Sequence, residues 1–343
     1  MVRYVILAIN SFDYILSKTG NMLIRYQNKR VVSIVDPENS GKTAQDVLGW
    51  GGQIPCLNNV IQTLKYDPTH LVIGNAPQGG LLDRRSRKEI LIAIENGINI
   101  ISGMHSFLND DDEISNLAKK NNIKLMDLRK PPNPPHFSNQ LWKNRKFPVL
   151  LVVGTDCDTG KMTTAWEITQ ILKKKGKNVE FLGTGQTGIL LSGNGIPVDA
   201  VISDFIPGEL ENCMDSFSKN TELVIVEGQG AINNVLYSGV SLGLLHGSMP
   251  DFLILTHEPG RKIDVANNAI PSLKKLINIH LDLLKPFKNS KFLGVNLLTL
   301  KMNNVKANKY IKDMGKKLNL PTTDLVRFDD KILIDNILNE VFN

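Results

Sequence analysis

Short apolar runs alternate with stretches of helical periodicity along this chain. In its first part, apolar runs at residues 31–35, 70–73 and 98–101 end at Asp36-Pro37, Gly74 and Ser102-Gly103, as strands end at turns. Residues 87–95 place apolar side chains at helical spacing and stop before Gly97; residues 113–120 repeat the pattern and lead into a strand at 124–127. The opening nine residues read as a buried first strand. Such alternation implies a mostly parallel sheet with helices on its faces, a Rossmann-like domain. Arg129-Lys-Pro-Pro-Asn-Pro-Pro135 interrupts the pattern, because prolines fix φ and lack an N–H donor. We therefore expect a first domain over residues 1–135, a proline-rich and basic linker over 136–147, and a second domain over 148–343.

The second domain opens with five apolar residues, Val149-Leu-Leu-Val-Val153, and further runs follow at 177–182, 200–203, 223–226, 252–255 and 292–297. They are short and continuous, as parallel strands covered on both faces are. Between the first of these strands and a helix at 165–174 lies Gly154-Thr-Asp-Cys-Asp-Thr-Gly-Lys161. The backbone N–H groups of such a loop converge with a helix N-terminus on an anion, and the lysine adds a positive charge. The fold class expected is thus α/β in two domains, an N-terminal Rossmann-like parallel sheet and a C-terminal P-loop NTPase-like parallel sheet.

The loop departs from the common spacing. Five residues separate its glycines where four are usual, and Lys161 is followed by Met162 instead of a hydroxyl. The grip on phosphate survives this, since amides and lysine provide it. The magnesium ligand does not, because a thioether suits a hard cation poorly, and Thr163 or Thr164 would replace it only from a shifted position. Gly154, Thr155, Asp156, Cys157, Asp158, Thr159, Gly160, Lys161, Met162, Thr163 and Thr164 are accordingly assigned to a polyphosphate cofactor. Gly41-Lys42-Thr43 imitates the motif without the earlier glycine or a strong following helix, and reads as loop.

Other polar residues stand at strand ends. Gly183-Thr-Gly-Gln-Thr-Gly188 matches the dinucleotide fingerprint, yet the segment behind it, Ile189-Leu-Leu-Ser-Gly-Asn-Gly195, is too short and glycine-broken for the helix that fingerprint opens. We read it as a ligand-contacting loop, with Gly185, Gln186 and Thr187 toward a substrate. Glu227, directly behind the run 223–226, stands where a carboxylate in such a sheet takes a proton or holds a metal or water. Asp204, behind the run 200–203, takes the analogous strand end and pairs with it. His246, in a glycine-flanked loop, is a second candidate base. Gln229, His257 and Arg261 complete the set, the arginine fork suiting a carboxylate or phosphate. In the first domain, the segments 74–80 and 102–106 are candidates to line a ligand cleft.

Composition narrows the class. At 343 residues the chain has room for two cores, and 42% hydrophobic with 22% charged residues is globular. The net charge of +6 is modest and its lysines are scattered; the cluster Lys173-Lys-Lys-Gly-Lys177 ends a helix, where cations suit the dipole. No nucleic-acid partner is expected, while a positive field suits an anionic cofactor. Cys56, Cys157 and Cys213 are far apart and odd in number, so neither a disulfide framework nor a metal site is assigned. No apolar run approaches the ~20 residues of a membrane span, and no cleavage signal follows the first strand. A cytoplasmic protein without a membrane partner is expected.

Residues 154–161 resemble the dethiobiotin-synthetase type of phosphate loop, which has the same insertion and an aspartate in this region. Glu227-Gly-Gln-Gly230 is similar to that group's Glu-Gly motif, while Met162 departs from its threonine. A closer resemblance, spanning nearly the whole chain, is to a bacterial two-domain family long described only as a domain of unknown function. It is carried by Gly154-Thr-Asp-Cys, Gly160-Lys-Met-Thr-Thr164, Gly183-Thr-Gly-Gln-Thr-Gly188, Ser203-Asp204, Glu227-Gly-Gln-Gly230, Leu244-Leu-His-Gly-Ser248 and His257-Glu-Pro-Gly-Arg261 in the second domain. Gly103-Met-His-Ser-Phe-Leu108 and Asp127-Leu-Arg-Lys-Pro-Pro132 carry it in the first. Members are described as D-glutamate or D-amino-acid N-acetyltransferases. The resemblance implies acetyl transfer from acetyl-CoA to a D-amino acid, D-glutamate first. Lys161 and the loop amides would then hold the coenzyme A phosphates, Glu227 would act as base with His246 as second choice, and Arg261 would hold the substrate carboxylate. A small-molecule substrate and a homo-oligomer are the partners expected. Two alternatives stay open: a ligase or kinase using ATP with Mg2+ held by Asp158, Asp204 and Glu227, and a nucleotide-binding regulatory P-loop protein.

Overall fold

Parallel pairing gathers the apolar runs of the first part into one six-stranded sheet. Its strands are β1 (Tyr4–Leu7), β2 (Val31–Val35), β3 (Cys56–Leu57), β4 (His70–Ile73), β5 (Asn99–Ser102) and β6 (Leu125–Asp127), in the order β3-β2-β1-β4-β5-β6. The helices between them are α1 (Lys18–Tyr26), α2 (Ala44–Leu48), α3 (Arg84–Glu95) and α4 (Asp112–Lys120). Asp83 caps α3 by accepting from the amides of Arg85 and Ser86, and Asp111 caps α4 through the amide of Ile114. α3 buries Ile90, Ala93 and Ile94, a stripe at helical spacing that packs with Val5, Leu7, Leu71, Ile73 and Ile100 of the sheet. Each valine, leucine or isoleucine among them stabilises the fold by roughly 1.5–3 kcal/mol on burial.

A second parallel sheet follows, formed by β7 (Val149–Gly154), β8 (Val179–Leu182), β9 (Leu223–Val226), β10 (Phe252–His257), β11 (Lys291–Leu297) and β12 (Thr322–Thr323). Its order is β12-β11-β10-β7-β9-β8, so β7 lies in the middle with β10 and β9 as neighbours. The helices are α5 (Lys161–Lys174), α6 (Gln186–Ser192), α7 (Ile206–Asp215), α8 (Ser238–Ser248), α9 (Leu273–Leu284), α10 (Asn304–Leu318) and α11 (Lys331–Val341). The computed structural model describes residues 2–75, 82–328 and 331–343, and its contacts divide the chain into units Met1–Lys130 and Pro131–Asn343. The segment before β7 belongs to the second unit. It is strapped to α7 by the amides of His136 and Asn139, which donate to the buried carboxylates of Glu209 (2.7 Å) and Glu211 (2.8 Å).

Two expectations need correction, and two strands went unread. Residues 200–203 form no strand; they run through a turn into α7. A four-residue apolar run cannot by itself distinguish strand from the approach to a helix. The edge strands β3 and β12, two residues each, carry too little pattern to be read. A helix, α6, does open inside the glycine motif and runs for seven residues until Gly193 turns left-handed (φ 77°). Among the described residues no helix is long and apolar enough to cross a membrane.

Candidate functional site

Because β7 ends in the middle of its sheet, the loop behind it is flanked on both sides by strand ends. Gly154 pairs opposite Thr256 of β10, and Leu151 opposite Val226 of β9, which brings Glu227 and His257 to either side of the loop. The loop turns through left-handed backbone at Asp158 (φ 54°) and Gly160 (φ 85°), and α5 begins at Lys161. Lys161 is buried and folds back over the strand end, where its Nζ donates to the Asp156 carbonyl at 2.7 Å. Thr159 Oγ1 donates to the same carbonyl at 3.0 Å. Gly154 makes this possible: a Cβ there would lie 2.5 Å from Thr159 Oγ1 and 3.0 Å from Lys161 Nζ.

Asp156 is the hub of the loop. Its fully buried carboxylate accepts from Asn234 Nδ2 (3.1 Å), Arg261 Nη1 (3.1 Å) and the amide of Val265 (3.0 Å). Loops from behind β9 and β10 are thereby tied to the phosphate loop by one side chain. Arg261 also donates to the Cys157 carbonyl (2.7 Å) and to Glu258 (2.8 Å). This corrects the expectation that Arg261 awaits a substrate carboxylate, since its fork already joins two protein carboxylates. Burial pushes the Glu258 carboxyl up, but Lys301 and Arg261 outweigh it and hold the group below the usual range. His257 Nδ1 lies 3.0 Å from Thr155 Oγ1. Burial, with the Arg261 charge beside it, lowers its pKa to about 4, so the ring is neutral at pH 7.

The position behind the lysine holds the buried thioether of Met162. Thr164, two residues on, is also buried, and its Oγ1 accepts from Asn296 Nδ2 at 2.7 Å. Thr163 is half-buried. The position next to Lys161 thus carries no hydroxyl, and the hydroxyl of Thr164 is engaged by Asn296.

Glu227 is buried on the other flank. Its Oε2 accepts from the Thr184 amide at 3.0 Å, and its carbonyl accepts from Thr184 Oγ1 at 2.8 Å. A Cβ on Gly188 would fall 2.1 Å from Oε2, so the glycine motif is shaped around this carboxylate. Gln186 and Thr187 stand in the first turn of α6, and Gln229 Nε2 lies 2.4 Å from the place a Gly185 Cβ would take. Gly185, Gln186, Thr187, Gln229 and Glu227 thus form one group beside the loop.

Two predicted residues stand on other elements than expected. Asp204 is exposed on the short turn Ser203–Phe205 that leads into α7, not at a strand end. His246 lies in the last turn of α8, not in a loop. That helix starts at the carboxyl edge of the sheet and descends to the start of β10, so eight residues at ~1.5 Å each carry His246 about 12 Å from the loop edge. Its Nε2 is 3.3 Å from the Leu283 carbonyl and its ring packs on Phe287. Among the described residues no three His, Cys, Asp or Glu side chains come together as a metal-binding group.

Sequence reasoning passed over Asn233, Asn234, Thr256 and Asn296. Asn233 Nδ2 donates to the Thr155 carbonyl at 3.2 Å, and Thr256 Oγ1 meets Thr159 Oγ1 at 2.9 Å. The adjacent asparagines, three residues behind Glu227-Gly-Gln-Gly230, were a usable signal; the other two sit inside or at the end of apolar runs. In the first unit, residues 76–80 of the segment 74–80 lie outside the described residues. Ser102 Oγ accepts from the Met104 amide (3.1 Å) and closes the turn behind β5, while Thr43 of the imitation motif caps α2 in a capping box with Asp46.

Comparison with known proteins agrees with this architecture. Residues 137–333 match the family described as a domain of unknown function (DUF1611_C), P-loop domain, and residues 37–131 match its Rossmann-like partner (DUF1611_N). A D-glutamate N-acetyltransferase of Pseudoalteromonas sp is 34% identical over 282 residues, 81% of this chain and 84% of that protein. A protein of the same name from Tritonibacter scottomollicae is 35% identical over 77% of this chain and 80% of its own length. The crystal structure of a DUF1611 family protein from Anabaena variabilis superposes with a TM-score of 0.92 at 30% identity, covering 99% of both chains.

Proposed function

The chain belongs to the DUF1611 family, and from that premise we propose that it is an N-acetyltransferase that moves an acetyl group from acetyl-CoA to the amine of a D-amino acid, D-glutamate first. The observation that carries this reading is a phosphate loop with its lysine in place and a buried thioether where the magnesium hydroxyl would be. Such a loop suits a cofactor whose phosphates are held but not transferred. The names of the two relatives, both D-glutamate N-acetyltransferase, support the same reading.

The residues fit a coenzyme A anchor. The amides of 154–164 and Lys161 would take the phosphates, and the Asp156–Arg261 clamp keeps the loop in one shape for them. Bound there, acetyl-CoA would supply an acetyl thioester, so that a C–N bond forms as the C–S bond breaks and the thiol leaves. Glu227 is the group that would take the amine proton, because the amine must be neutral to attack. Gly185, Gln186, Thr187 and Gln229 would orient the acceptor, and such positioning accounts for much of the rate gain in two-substrate reactions. His257, kept neutral, orients Thr155 instead of binding an anion.

The test is to incubate the protein with acetyl-CoA and D- or L-glutamate, following free thiol and acetylated product together. Thiol release matched one-to-one by N-acetyl-D-glutamate is the expected result. Product that requires Mg-ATP, or none with any amino acid tried, contradicts the proposal.

A further inference from the structure

Gly41-Lys42-Thr43, which imitates a phosphate loop in the sequence, lines an open cleft of about 480 Å³ in the first unit. The cleft lies beside the edge strand β3, behind the carboxyl end of β2. Its walls are the segments 40–43 and 55–58 and the short helical turn Ile61–Tyr66. Backbone bonds tie the first two together: the Gly41 amide donates to the Cys56 carbonyl (3.1 Å) and the Cys56 amide to the Lys42 carbonyl (2.8 Å). Thr43 is fixed by its capping box on α2. Small-molecule sites span roughly 300–1,000 Å³, so the cleft is of a size for an organic ligand.

Its lining carries charge of one sign. Lys42 and Lys65 are the charged residues in it, and no carboxylate lines it. Lys42 Nζ donates to Asn39 Oδ1 at 3.0 Å, and Lys65 Nζ lies 5.2 Å from the centre of the Tyr66 ring. Both partners are neutral, so neither ammonium is cancelled by them. Glu38, Asp36 and Asp46 stand outside the lining, and the last two are engaged elsewhere. Asp36 accepts from the Asn10 amide (2.9 Å) and Asn39 Nδ2 (2.7 Å), and Asp46 from the amide and hydroxyl of Thr43 (2.8 Å each). Burial pushes the Cys56 thiol up to about 12, so it adds no negative charge at neutral pH. Neutral donors accompany the lysines. Gln62 Oε1 accepts from the Asn58 amide at 3.0 Å, which leaves its NH2 group as the uncommitted end. Ser40 Oγ and the Asn58 side chain also line the cleft and make no hydrogen bond among the described residues.

We propose that this cleft binds a small organic phosphate, with Lys42 and Lys65 on the phosphate group. A lysine ammonium is a compact charge with three donors, and two of them meet the several oxygens of a phosphate from different directions. A planar carboxylate is matched better by the fork of an arginine, and no arginine lines the cleft. Ser40, Asn58 and Gln62 supply further donors to the ligand's oxygens. Pro55 and Ile61, the latter 52% exposed, offer an apolar face to its carbon skeleton. The site uses first-unit residues alone, so it stands or falls independently of acyl transfer at the phosphate loop.

Calorimetric titration of the full chain with glycerol 3-phosphate tests it, with glutarate as the dicarboxylate control and at physiological ionic strength. Because the phosphate loop also takes phosphates, the titrations are made in Lys161→Ala, alone and combined with Lys42→Ala or Lys65→Ala. Both cleft lysines are exposed, so their removal leaves the fold intact. Saturable binding of glycerol 3-phosphate is expected in Lys161→Ala. Either cleft variant should weaken it about tenfold or more, as for loss of a hydrogen bond to a charged group. Glutarate should bind at least about tenfold more weakly than the phosphate. Lys120→Ala, which removes the same charge from the last turn of α4, should change nothing. Absence of saturable binding in Lys161→Ala overturns the proposal, as does affinity indifferent to both cleft lysines. Equal weakening by Lys120→Ala would reduce the effect to the general field of the protein and would also overturn it. Glutarate bound as tightly as the phosphate would overturn the ligand class.

Discussion

Two strand–loop–helix connections, β7–α5 and β1–α1, each leave the carboxyl end of a central strand, and they treat their polar atoms in opposite ways. In the first, one carboxylate, Asp156, holds an asparagine, an arginine and a backbone amide, and Lys161 and Thr159 share one carbonyl. In the second, three buried oxygens, Ser11 Oγ, Ser17 Oγ and Asn21 Oδ1, lack partners among the described residues while three apolar side chains face outward. A loop of the first kind is organised before its ligand arrives, and spends little of the binding energy on ordering itself. A loop of the second kind carries a standing cost of about 1–3 kcal/mol for each unmatched group. The difference separates a loop braced by its own side chains from one whose buried polar atoms are left unmatched among the described residues.

Disordering the satisfied loop should have the largest effect. Asp156→Ala leaves Arg261 without one of its two carboxylates and frees the loops behind β9 and β10, and we expect a loss of about 3 kcal/mol in urea unfolding, the lower range for breaking a buried ion pair. An unchanged midpoint would mean the hub is ornamental.

The His257 contribution is of similar size but depends on pH. Its folded pKa of about 4 lies below the ordinary 6.5, so the unfolded chain takes the proton first as pH falls. The stability it contributes is complete above pH 6.5 and lost toward pH 4, by about 3 kcal/mol. Measured from pH 7.5 to 4, the wild type should lose this much relative to His257→Gln; parallel curves would contradict the assignment.

Next comes Glu227→Gln, which keeps the shape of the site and asks whether the satisfied network also performs chemistry. A fall in kcat of about a hundredfold or more is expected for a lost general base. Near-normal kcat would leave Glu227 as a brace for Thr184 alone. Lys161→Ala should cost about 1.5–3 kcal/mol of cofactor affinity, as for a hydrogen bond to a charged group, with little change in kcat at saturation. Unaltered affinity by calorimetry would move the cofactor elsewhere. Smallest of all, His246→Ala should leave kcat unchanged, because its ring faces Leu283 and Phe287 at the far end of α8.

The phosphate loop was legible because a glycine, a lysine and the apolar runs on both sides are local signals, each confined to a few residues. The strand-end position of Glu227 was legible for the same reason, since the residue stands directly behind β9. Arg261 was found but misread: its direction depends on Asp156, 105 residues away, and on Glu258 one turn before it. Asp204 and His246 were misplaced because the runs around them look alike whether they form strand, loop or helix. The α6 helix was hidden by its glycines, which serve here to admit the Glu227 carboxylate. Nothing in the order of residues 8–21 announced an inverted loop, since partnership between polar atoms exists only once the chain is folded.

The central claim is that the phosphate loop holds acetyl-CoA, and thermal unfolding with acetyl-CoA and separately with Mg-ATP tests it most directly. A ligand at about 100 times its dissociation constant stabilises the folded state by roughly 2.7 kcal/mol, which is a shift of a few degrees for a chain of this size. The account predicts that shift with acetyl-CoA in the wild type and its reduction in Lys161→Ala. A shift with Mg-ATP alone would contradict it and favour a ligase, a kinase or a nucleotide switch.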